Sequence, residues 1–154
     1  MDIKDSESLI FKELCNICLT PDSYRQDIRI KLNDNYKFIT DNFVKMVLIF
    51  LRIRANIPLI LLGETGCGKT SLIKALALFL KGQYRLIEFN IHSGLSYMDI
   101  TKFLIQNKLV DKRENKESNI KEEKIILFLD EINTTNSINL LCDLFKSKKF
   151  LNAF

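Results

Sequence analysis

The 154-residue chain is short of the residues from which metal and redox sites are usually assembled. It holds one histidine, four cysteines, two prolines, five glycines and no tryptophan. Cys15-Asn16-Ile17-Cys18 spells a C-x-x-C, which alone would serve as half a zinc site or a redox pair. No second C-x-x-C or C-x-x-H accompanies it, and the one histidine, His92, is remote in sequence. The pair therefore reads as two thiols in an amphipathic helix with Leu9, Ile10, Leu14 and Leu19, and His92 as a residue that hydrogen-bonds its own loop. No apolar run reaches the roughly 18 to 20 residues of a membrane span, and the longest, residues 43–53, is broken by Lys45 and Arg52. The start, Met1-Asp2-Ile3-Lys4-Asp5, is too acidic for a secretory n-region. Cys67, inside a glycine-rich loop, fits a reducing compartment, and the expected location is cytoplasmic. The net charge of +4 is modest and spread out, with Lys45, Arg52 and Arg54 clustered near one helix and Lys146, Lys148 and Lys149 near the end. With no aromatic-interleaved basic stripe, these read as solvated surface and nucleic acid is not an expected partner.

What remains is the composition of one globular domain: 47% apolar and 27% charged residues, in a chain long enough to bury about two-thirds of its unfolded surface. Three of the five glycines fall within eight residues. Gly63-Glu64-Thr65-Gly66-Cys67-Gly68-Lys69-Thr70 is a complete G-x-x-x-x-G-K-[ST] loop, followed by Ser71. Ahead of it, the apolar residues 58–62 suit a buried parallel strand. Behind it, residues 71–80 suit a helix stopped by Gly82 in the manner of a C′ glycine. Glycines allow successive N–H groups to face an anion, and the helix N-terminus adds roughly half a positive charge. In this pattern Lys69 reaches the β- and γ-phosphates of a nucleoside triphosphate, and the Thr70 hydroxyl is offered to Mg²⁺.

Around the loop, residues 8–19 read as a helix ended by Thr20-Pro21-Asp22, and residues 27–32 as a possible short strand before the turn at Asn33-Asp34-Asn35. Thr40 or Asp41 is the expected N-cap of a helix to about Ala55, its apolar positions being Phe43, Val44, Val47, Leu48, Leu51 and Ile53, with Asn56 and Pro58 ending it. Residues 84–91 read as a second strand. Ser96 with Asp99 three residues on resembles a capping box for a helix from Tyr97 to about Val110. Residues 111–124 are almost wholly polar, a surface insertion with no core of its own.

Residues 125–129 form an apolar run ending in Asp130 and Glu131, about sixty residues beyond the loop. Type and spacing fit a Walker B strand with its apolar body buried in the sheet, delivering both acids at the carboxyl edge where α/β proteins place ligands. Asp130 would hold the hydration shell of Mg²⁺, and Glu131 would orient or deprotonate the attacking water. Asn133 either restrains Glu131 or caps a helix beginning near residues 134–137; the sequence leaves both open.

Asp130-Glu131-Ile132-Asn133, together with the glycine loop, resembles AAA+ ATPases of the dynein, midasin and McrB-like group. Asp41-Asn42 through Pro58, the stretch Asn90-Ile91-His92-Ser93-Gly94, and Leu127 through Thr134 are most similar to the AAA+ core of the mysterin family of giant RING-type E3 ubiquitin ligases. The resemblance implies an α/β P-loop NTPase fold, a three-layer α/β/α sandwich on a parallel sheet. It would occupy residues 41–154, behind an N-terminal helical or irregular segment, 1–40. It also implies ATP and Mg²⁺ as ligands, bound by residues 63–71 with Thr70 and Asp130 at the metal, and Lys69 and Glu131 in hydrolysis. Implied partners are other AAA+ modules in cis or in a ring, and ubiquitin-system proteins by family, although no RING array is present. The family needs a further sensor strand, an arginine finger and a helical lid, none of which precedes Phe154. The family's sheet order puts that strand between the loop strand and the Asp130 strand. The sheet is therefore expected to be incomplete, with an open gap. Two other readings are a nucleotide-binding scaffold without significant turnover, and a DEAH-type helicase fragment, which would carry histidine where Asn133 stands.

Overall fold

The computed structural model describes residues 3–33, 36, 38–107, 109 and 124–132. In chain order they form α1 (Ile3–Ile17), α2 (Asp22–Asn33), α3 (Thr40–Arg54), α4 (Lys69–Phe79), β1 (Tyr84–Asn90), α5 (Tyr97–Gln106) and β2 (Lys124–Asp130). They divide into two compact units, Met1–Arg85 and Leu86–Phe154. Asn133, Cys142, the lysines at 146, 148 and 149, Val110 and positions 111–123 of the polar insertion lie outside the described residues.

The first unit packs α1 against α3, and α4 against both α2 and α3. Phe79 on α4 is fully buried, with the rings of Phe11 and Phe38 at centroid distances of 5.5 and 6.0 Å. Burying one such ring stabilises by about 1.5–3 kcal/mol. Cys15 and Cys18 are both fully buried thiols, but only Cys15 lies on α1: the helix ends at Ile17, Cys18 sits in the turn beyond it, and Leu9 and Leu19 of the expected apolar face are exposed. Burial, with Cys15 nearby, pushes the Cys18 thiol up to about 12, so it remains protonated at neutral pH.

Residues 27–32 are helical, not a strand. The alternation of Ile28, Ile30 and Leu32 misleads because Ile28 and Leu32 are also four apart. On α2 they share one buried face, while Ile30 is exposed. Further salt bridges, Arg25 to Asp22 and Lys31 to Asp27, lie at helical spacing.

α3 begins after Ile39, which supplies no side-chain cap, so neither Thr40 nor Asp41 is the N-cap. Asp41 instead sits in the first turn and pairs with Lys45 one turn on. The helix buries Met46, Ile49 and Phe50, leaving Val44, Leu48 and Leu51 exposed. Its sequence is apolar on several faces, so the packing of α1 and α4 selects the inward one. Asn56, at φ 54°, ends the helix as expected.

Residues 58–62 depart most from expectation. They form no strand among the described residues, and Ile60 and Leu62 are 81% and 90% exposed. Among the described residues the sheet has two strands, β1 beside β2. A strand is held by ladder hydrogen bonds and by packing on its faces; among the described residues this run makes no ladder, and only Leu61 is even half-buried.

In the second unit, Ile91 N–H donates to Asp130 O at 3.0 Å, bringing the carboxyl ends of β1 and β2 together in a parallel pair. Ile87, Ile91, Ile100, Leu104 and Leu109 form its core, and Ile125, Leu127 and Leu129 pack against it. Among the described residues the apolar body of β2 is half-buried, less than expected of a central strand, and β1 is its one strand neighbour. α5 starts at the expected capping box: Ser96 Oγ accepts from Asp99 N–H, and the Asp99 carboxylate accepts from Ser96 N–H and Oγ. Those bonds hold the Asp99 carboxyl below the usual carboxylate range. His92 Nδ1 accepts from Gly94 N–H at 3.3 Å, the local loop role expected of it.

Tyr36, between α2 and α3, buries its hydroxyl with no hydrogen-bond partner among the described residues, and desolvation pushes its pKa up to about 12. An unsatisfied buried donor costs about 1–3 kcal/mol. Tyr36→Phe is expected to raise stability by about 1 kcal/mol in urea unfolding; a loss of that size would show that the hydroxyl has a partner in solution.

Candidate phosphate-binding site

The glycine loop is built by two left-handed residues. Gly66 and Gly68 have φ values of 81° and 84°, a region that costs a side-chain-bearing residue about 1–2 kcal/mol. Gly68 is the N-cap of α4 and offers no side chain to it. The first helical bond the loop accepts is Leu72 N–H to Gly68 O at 2.9 Å, so the amides of the first turn precede the helix's own ladder. Their dipoles sum at this end, which suits an anion.

Lys69 turns back across the loop. Its Nζ donates to Gly63 O and Glu64 O, each at 2.8 Å, and lies 3.6 Å from Cys67 Sγ. Cys67 N–H closes the turn on Glu64 O at 3.3 Å. These carbonyls were not visible as site groups in the sequence, because every residue carries one. Among the described residues no carboxylate pairs with the Lys69 ammonium; neutral oxygens orient its charge without cancelling it. Gly63 is constrained by space: a Cβ there would stand 3.0 Å from Cys67 Sγ. At Gly66 and Gly68 a Cβ would meet nothing within 4 Å, so those glycines answer to backbone angle alone. Open space over left-handed glycines, at a cationic helix end, fits a polyphosphate. Glu64, Thr65, Gly66, Cys67, Gly68 and Ser71 are exposed, while Lys69 and Thr70 are half-buried.

Residues 63–71 belong to the first unit, and Asp130 and Glu131 to the second. Asp130 closes β2, half-buried, and its Oδ1 accepts from Glu131 N–H at 3.0 Å. Glu131 is exposed and adopts φ 57°, one of three left-handed non-glycine residues among those described. A glutamate held there stores about 1 kcal/mol or more of backbone strain, of a kind that clusters at functional sites. No sequence signal marks this, since glutamate has no preference for that region.

A model of the "RNF213 AAA domain" family matches residues 36–151. Curated relatives include the mouse (Mus musculus) E3 ubiquitin-protein ligase RNF213, 36% identical over 122 residues, which cover 72% of this chain and 2% of the relative. The human (Homo sapiens) RNF213 is 34% identical over 146 residues, covering 86% of this chain and 3% of that protein. A dynein heavy chain-like protein 2 from Plasmodium falciparum is 26% identical over 131 residues, covering 75% and 2% respectively. The chain thus spans about 2–3% of the length of these relatives. No solved structure matches. Among the described residues no helix is long and apolar enough to cross a membrane.

Two glycines separate backbone strain from crowding. Gly68→Ala meets only the left-handed φ and is expected to cost about 1–2 kcal/mol. Gly82 has the same φ of 84°, but its Cβ would also stand 3.0 Å from Tyr24 Cε2. Gly82→Ala should therefore destabilise more than Gly68→Ala in chemical denaturation; the reverse order would contradict the geometry of this unit.

Proposed function

Because the chain belongs to the RNF213 AAA-domain family, we propose that it binds ATP with Mg²⁺ through residues 63–71 and hydrolyses it with the aid of Asp130 and Glu131. The observation that carries the proposal is the glycine loop itself: left-handed Gly66 and Gly68, and an ammonium at Lys69 held by neutral carbonyls. On binding, Lys69 exchanges the oxygens of Gly63 and Glu64 for phosphate oxygens. The Gly66–Lys69 turn and the first amides of α4 hold the rest of the polyphosphate. When bound, Mg²⁺ supplies charge neutralisation on the phosphates, with Thr70 and Asp130 the residues that would hold it. Glu131 orients a water and takes its proton. The strained backbone at Glu131 and the bond from its N–H to Asp130 support this role by fixing the two acids relative to each other.

The proposal extends to a module of a large mechanochemical ATPase that works beside other AAA+ modules, in cis or in a ring. Contact with ubiquitin-system partners belongs to the same family-level reading, drawn from relatives named as E3 ubiquitin-protein ligases. One observation favours a second reading, a nucleotide-gated scaffold with negligible turnover. Among the described residues the segment leading into the loop, 58–62, forms no strand and is exposed except at Leu61. A loop without a sheet behind it can still bind phosphate, yet presents it less rigidly for attack.

Turnover separates the two readings. Glu131→Gln should lower Mg²⁺-dependent ATP hydrolysis by about a hundredfold or more while leaving ATP binding intact. Lys69→Ala should weaken the binding itself. Equal turnover in Glu131→Gln and wild type would remove the catalytic assignment and leave the scaffold.

A further inference from the structure

We propose that the turn between α1 and α2 is a latch that positions the phosphate loop from the far end of α4, with Thr20 its positioning residue. Its consequence for nucleotide affinity rests on the function proposed above. Thr20 is the single buried polar residue among those described, 2% exposed. Its Oγ1 donates to Phe79 O at 2.6 Å, 59 residues away in the chain, at the last residue of α4. The carbonyls at the end of a helix have no partner within it, so this bond fixes a group that the helix cannot satisfy alone. Immediately beyond, Gln83 Nε2 donates to Cys18 O at 2.9 Å and to Leu19 O at 3.0 Å. The two elements are thus stapled in both directions.

The turn is shaped for this contact. Leu19 takes a left-handed φ of 54° and stays exposed, while Thr20 N–H donates to Cys15 O at 2.8 Å and Arg25 Nε to Thr20 O at 3.3 Å. The strained leucine turns the chain so that Thr20 points inward. Lys81 adds an outer tie to Asp27 of α2 at 3.3 Å. Between the staple and the loop lies one continuous helix of 11 residues, buried along Leu72, Ile73, Leu76 and Phe79. Such a helix moves as a body, so loosening one end displaces Gly68 and Lys69 at the other. Phosphate recognition is sensitive to shifts well below an ångström.

Amide hydrogen exchange on the full 154-residue chain tests this without nucleotide. Thr20→Val keeps the shape and removes the donor; Thr20→Ser keeps the donor. Thr20→Val should exchange about tenfold faster at residues 79–84 and also at residues 66–72, with Thr20→Ser close to wild type. Faster exchange confined to residues 79–84 would overturn the latch and leave Thr20 a local structural group. If Thr20→Val does not fold, Gln83→Met supplies the same comparison through the other half of the staple. With Mg²⁺ and ATP added, Thr20→Val should bind several-fold more weakly than wild type. A wild-type loop that gains no protection from ATP would instead count against nucleotide binding, and the exchange result in its absence would still decide the latch.

Discussion

The arrangement depends on where α4 begins. Gly68 reaches a left-handed φ that only glycine adopts without strain, and from there the chain enters the helix with its first amides ahead of the hydrogen-bond ladder. Everything assigned to the loop follows from that start: the fold-back of Lys69 onto Gly63 and Glu64, the open space over Gly66 and Gly68, and the cationic end of α4. A side chain at Gly68 would move the start and disperse these groups.

The features that were legible in the sequence are those whose physics is local. The glycine loop needs particular residues at particular offsets, and so does the Ser96–Asp99 capping box; both stand where they were expected. The strands β1 and β2 were legible as apolar runs bounded by polar residues. Their pairing was not legible, because nothing in either run names its neighbour. Where the outcome depended on partners, the sequence was ambiguous. Ile28 and Leu32 fit either a strand or a helix. α3 carries enough apolar residues to bury either of two faces, and α1 and α4 decide between them. Residues 58–62 have a strand's composition, but composition cannot supply the neighbour that makes a strand. In the site, the loop's backbone carbonyls, the left-handed Glu131 and the inward Thr20 were hidden, because none leaves a side-chain signature.

Membership of the RNF213 AAA-domain family gives the loop and the two acids a common context. The two sites bear different physical marks. The loop is strain-free at glycines and presents a charge held by neutral groups, a site ready for an anion. The acids sit at a strained turn, where Asp130 receives the N–H of Glu131 and fixes its backbone. In the function proposed above, the first serves phosphate binding and the second serves hydrolysis.

The most direct measurement is the response of backbone amide resonances to Mg²⁺ and ATP. The account predicts saturable shifts at Gly66, Cys67, Gly68, Lys69 and Thr70, lost when Lys69 is replaced by alanine. Saturable ATP binding that leaves those five amides unmoved, or no binding at all, would contradict it.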